Sequence, residues 1–230
     1  LAALFLGKVL PRTWESGLIG VATGVLVYLF FDLMHEATEQ TGARDPLSWL
    51  VFLGSLGISF VGLVALESRQ VFGGRSGNRV LSLPYMIAVG MGLHNLGEGL
   101  AIGTSYASGE YTLSLLLVAG FGLHNGTEGF GIVGAAGKTP ISGRDVILLG
   151  LIAGLPTCVG TFLSGQGVSS YFSICFYALA AGSLLYVILA LTVMSYTATR
   201  RVQVATGLFA GISLMYLTAM VLTLVTGVRS

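Results

Sequence analysis

The chain has 230 residues, of which 54% are hydrophobic and only 9% charged, with a formal net charge of +1. Soluble domains carry about a quarter charged residues, so this balance, with a mean hydropathy of +0.86, excludes an ordinary soluble globule and predicts an all-α integral membrane protein. There is no basic patch, so the expected surroundings are a lipid bilayer and not a nucleic acid.

A span needs about twenty mostly apolar residues. Residues 1–10 read as the tail of a first, truncated helix, without the charged leader and cleavage site of a signal peptide. Full spans are expected near 14–38, 46–67, 81–105, 111–136, 143–164, 169–195 and 203–227, giving seven complete helices and part of an eighth in a single polytopic domain over 1–230. Pro11, Pro46, Pro84 and Pro140 mark helix starts or the turns before them, whereas Pro156 falls inside a span and is expected to kink it. Glycine is frequent, at 34 residues, as where helices approach closely in lipid. Cys158 and Cys175 lie in apolar runs and read as packing residues, with a soft sulfur at Cys158 facing a metal path as the alternative.

Loop charge sets the expected orientation. Lys8, Arg12, Arg69, Arg75, Arg79, Lys138, Arg144, Arg200 and Arg201 fall on one side of this threading; Arg44 and Arg229 fall on the other. The positive-inside rule places the first group in the cytoplasm, so both termini of the eight-helix form face outward from a cell membrane.

Three polar groups interrupt the hydrocarbon. Asp32, His35, Glu36 and Glu39 close the 14–38 span and fit one broad face by three- and four-residue spacing. Glu39 reads as a solvated helix end; Asp32, His35 and Glu36 are candidates for collecting cations at the outer surface. The other two groups are copies of one pattern: His94-Asn95-Leu96-Gly97-Glu98-Gly99 in the 81–105 span and His124-Asn125-Gly126-Thr127-Glu128-Gly129 in the 111–136 span. In each, His and Glu are four apart and project from one helix face.

Such groups far from water are costly unless compensated. A lone buried His is more often a packing residue, and a lone intramembrane Glu more often pairs with another side chain. Here the pattern repeats on adjacent, oppositely running helices. At the usual rise, Glu98 lies about 6 Å further out than His94, and the inverted copy puts His94 level with Glu128 and Glu98 level with His124. Two imidazoles and two carboxylates then suit zinc, iron, manganese or cadmium-like ions, with Asn95 and Asn125 as direct or supporting ligands. Loading a metal there displaces protons. No cofactor is expected as a catalyst.

On these residues the sequence resembles the ZIP (Zrt-, Irt-like) family of divalent-metal transporters, in its prokaryotic GufA-like branch. The resemblance spans nearly the whole chain: the eight-helix layout with its first helix truncated, the H-N-x-x-E-G pattern in the fourth and fifth helices, and Phe31-Asp32-Leu33-Met34-His35-Glu36-Ala37 at the end of the second. It implies a metal site between the fourth and fifth helices, often binuclear, with His94, Asn95, Glu98, His124 and Glu128 as ligands and Asn125 at a variable polar position. It further implies secondary transport of a divalent cation, Zn2+ first, toward the cytoplasm, an elevator-like motion, and often a homodimer.

Three departures stand out. Gly97 and Thr127 occupy positions where the family usually has proline before the motif Glu. Leu155 stands where many members carry a sixth-helix glutamate, which weakens a second metal site. The 68–79 loop lacks the His-rich run common in eukaryotic members. The competing readings are an intramembrane zinc-dependent hydrolase using a metal-bound water and a metal-gated receptor. Near-symmetric pairing of each His with a Glu favours a passage over a polarised catalytic site, so no enzyme activity is expected.

Overall fold

The computed structural model describes residues 12–42, 45–69, 82–137, 139, 141–164, 169–197 and 199–226. Among them the chain forms seven α-helices and no strand: α1 (Arg12–Glu39), α2 (Pro46–Ser68), α3 (Ser82–Ala107), α4 (Tyr111–Ala136), α5 (Gly143–Ser164), α6 (Ser170–Ser195) and α7 (Arg201–Thr226). The partial helix expected over 1–10 lies outside the described residues, as do Lys8, Arg44, Arg75, Arg79, Lys138 and Arg229. The fourth and fifth of the eight expected helices are therefore α3 and α4.

Local chemistry sets several helix ends. Asp45 caps α2 by accepting from the Leu47 N–H at 3.1 Å, with Pro46 supplying the first-turn geometry. The Tyr171 hydroxyl donates to the other Asp45 oxygen at 2.7 Å, tying the start of α2 to the start of α6. That bond, with those from the α2 backbone, holds the Asp45 carboxyl below its ordinary range. Ser169 caps α6 through the Phe172 N–H. Gly109, at φ 81°, turns the chain between α3 and α4, a conformation that side chains resist.

Five helices, α1, α2, α5, α6 and α7, are long and apolar enough to cross a bilayer. The other two, α3 and α4, are 26 residues each, about 39 Å at the usual rise, and carry the paired polar motifs. The chain is thus a multi-pass helical membrane protein.

Glycine decides which helices touch. Gly20 and Gly24 of α1 lie against the α7 backbone at Val204 and Leu208, and Gly207 and Gly211 of α7 lie against α1 at Gly17 and Val21. Gly92, Gly99 and Gly103 of α3 lie against α5 at Ile152, Thr157 and Thr161, with Gly160 returning the contact at Leu96. Between α2 and α6, Gly182 meets Leu56, and the Ser59 hydroxyl donates to the Leu179 carbonyl at 2.6 Å. Small residues let backbones close in where lipid supplies no hydrophobic drive.

In the interior, α6 packs on α1, α2 and α3 through Ala178, Ala181, Leu184, Val187 and Leu191, all fully buried. By contrast, α4 makes no such seam: a methyl added at Gly122 or Gly126 would meet nothing within 4 Å, and the contacts of α4 run mainly to α3 and, less, to α1.

Candidate metal centre

The two hexads meet in the interior between α3 and α4. His94, Glu98, His124 and Glu128 are each at most 4% exposed, Asn95 is equally buried, and Asn125 is half-buried. Glu98 is the hub. One of its oxygens lies 2.5 Å from His124 Nε2 and 3.2 Å from His94 Nε2, and the other accepts from the Asn125 amide at 3.2 Å. Glu128 reaches back to His94, Oε1 to Nε2 at 3.5 Å. The inverted hexads thus interleave, each imidazole facing the carboxylate of the other helix.

Ligand atoms of His94, Glu98 and His124 fall within 4.8 Å of one another. Imidazole and carboxylate together suit a borderline divalent cation. The Phe121 ring meets the His124 imidazole edge-on at 5.5 Å, and the Thr127 hydroxyl donates to the His124 backbone carbonyl at 2.6 Å. That hydroxyl bonds back three residues, whereas a proline at 127 would free the carbonyl four residues back, that of Leu123.

A cavity of about 410 Å3 runs from this cluster to the end of the bundle where α1, α3 and α7 finish and α4 begins. His94, Glu98 and His124 line it, together with Asp32 and Glu36 of α1, Tyr177 of α6 and Thr218 of α7. On the other side of the cluster the packing is hydrocarbon: Gly131 sits against the side chains of Met91 and Leu191, both fully buried, beside Ile132.

The remaining sequence candidates fall elsewhere. His35 lies outside the cavity wall and pairs with Glu39 at 3.4 Å, both well exposed. Leu155 is 55% exposed on the outer face of α5, and Cys158 is exposed near it, away from the cavity. Cys175 accepts from the Ser55 hydroxyl across the α2–α6 contact at 3.3 Å. Tyr28, Phe121 and Tyr177 are cavity residues that the sequence did not single out; aromatic side chains in an apolar span carry no signal of the face they occupy.

Fold and cluster together define a class: a helical membrane protein with a buried His/Glu group, lining a cavity, that suits a divalent metal. No protein-family model matches the chain. The chain is similar to the zinc transporter ZIP4 of Homo sapiens, with 33% identity over 131 residues, 55% of this chain and 20% of that protein. The chain therefore covers about a fifth of the length of that relative.

Proposed function

We propose that the chain is a ZIP-family carrier, of the GufA-like branch, that moves divalent cations, Zn2+ first, from outside toward the cytoplasm. The observation that carries this is the convergence of His94, Glu98, His124 and Glu128 from two inverted hexads, the first three of them lining a cavity. Asn95 and Asn125 complete the donor set. The similarity to a zinc transporter favours the same substrate class. By the loop charges, the cavity opens outward and the hydrocarbon below Glu128 faces the cytoplasm, with both termini of the eight-helix form outside. The protein works in a cell membrane, as a homodimer by family resemblance.

Asp32 and Glu36 line the approach, where their charge raises the local cation concentration. Zinc uptake into proteoliposomes tests the central reading: a carrier moves the ion, whereas a hydrolase cleaves lipid or peptide without flux and a receptor binds without either. Within that assay, Asp32→Asn is expected to slow uptake up to about tenfold at low zinc, the size of a lost steering charge, and little at saturation. An equal reduction at both concentrations would remove Asp32 from the approach. His35→Ala, outside the cavity wall, is expected to leave uptake unchanged at both.

A further inference from the structure

The contribution of α5 to the site rests on the carrier reading and begins at Asn95, which is 2% exposed. Its side-chain nitrogen donates to the Ala153 carbonyl of α5 at 2.9 Å, while its oxygen is buried with no hydrogen-bond partner. Interiors rarely leave an acceptor in that condition without a role for it.

Ala153 stands three residues before Pro156, inside α5. Proline has no N–H, so the Ile152 carbonyl loses its helical partner and the turn around it loosens. That turn is the one α3 engages, with two residues three apart on one face. At Gly92 a methyl would fall on the Ile152 carbonyl oxygen; Asn95 takes the next carbonyl along.

We propose that Pro156 and the Ala153 carbonyl are positioning groups for Asn95. They commit its N–H2 to α5 and leave the oxygen as the end offered to the cation. An amide is required there, because a carboxylate would set an acceptor against the Ala153 acceptor. Leu155, facing outward, gives the site no ligand, so the part α5 plays is the orientation of a neighbour's oxygen.

Cobalt(II) titrated into the purified chain in detergent tests this, because its visible spectrum reports the number and kind of its ligands. Asn95→Ala is expected to weaken cobalt binding, and Pro156→Ala to weaken it about tenfold or more, the usual effect of removing a partner that orients a ligand. The spectrum of Pro156→Ala should move toward that of Asn95→Ala, and the double variant should bind no more weakly than the weaker single one. Wild-type affinity and spectrum in Pro156→Ala, or additive losses in the double variant, would overturn the proposal.

Should Pro156→Ala fail to fold, Asn95→Asp decides. Despite its added negative charge it is expected to bind cobalt no more tightly than the wild type; binding tighter by about tenfold, some 1.4 kcal/mol, would show that the N–H2 is dispensable. His94→Ala and Glu98→Gln separate the two levels. If they lose cobalt while Asn95→Ala retains it, the positioning role alone fails; if they retain it, the site reading itself fails.

Discussion

Glu98→Ala is expected to abolish zinc uptake into proteoliposomes and to lower zinc affinity by more than about a hundredfold. Removing a group that merely orients a metal ligand costs about 10–100-fold, and in the carrier proposed above Glu98 is a direct ligand. It also contacts His94, His124 and Asn125 at once. Without it two buried imidazoles and an amide lose their shared acceptor. Breaking a buried pair in this way costs about 3–5 kcal/mol, so part of the loss would fall on folding.

Glu98→Gln keeps the shape and an acceptor oxygen, and separates the two effects: it is expected to fold and still fail in uptake. Glu128→Ala is expected to fail in uptake too, with a smaller loss of affinity, because among the described residues Glu128 forms an ion pair with His94 alone, and at 3.5 Å. Zinc titration calorimetry beside the uptake assay orders the three. Wild-type uptake in Glu98→Gln would place the ion path elsewhere.

The buried His/Glu cluster was legible because it is a pattern of polar residues against an apolar ground. Four-residue spacing puts His94 and Glu98 on one face, and the inverted repeat sets which imidazole meets which carboxylate; both follow from helix geometry alone. The helical membrane class was legible from composition for the same reason. What lay beyond the sequence is which apolar face goes inside. Leu50, Phe162 and Leu224 are more than two-thirds exposed while Leu26, Leu184 and Leu191 are fully buried, and in lipid both environments accept leucine equally well. Hence Tyr177 gave no sign that it lines a cavity, and His35 no sign that it turns away from one.

Glycines carry the missing information only when their surroundings are known. Among the 34, the seams α1–α7 and α3–α5 require theirs, whereas Gly54, Gly57 and Gly62 of α2 meet nothing within 4 Å. The departure at residue 155 was visible as a missing acid, but the reach of Asn95 to the Ala153 carbonyl depends on how α3 and α5 dock. No spacing within either helix encodes that.

That docking is open to a direct comparison of two substitutions that look alike on paper. Gly99→Ala is expected to destabilise the protein by about 1–3 kcal/mol, as for overpacking in a tight interior, because the new methyl would meet the Thr157 carbonyl and the Thr161 nitrogen of α5. These are backbone atoms and cannot swing aside, so α3 and α5 must part. The separation lengthens the reach from Asn95 to Ala153 and shifts Glu98, the neighbour of Gly99, so uptake falls even where the variant stays folded. Gly126→Ala, two residues before Glu128, adds its methyl to open space. Replacing a helix-interior glycine there favours folding by about 0.5–1 kcal/mol and leaves uptake unchanged. Thermal unfolding in detergent, followed by loss of the monodisperse peak, reads both. Equal melting temperatures for the two variants would mean that α3 and α5 do not meet backbone to backbone at Gly99, and the orientation of Asn95 would then need another cause.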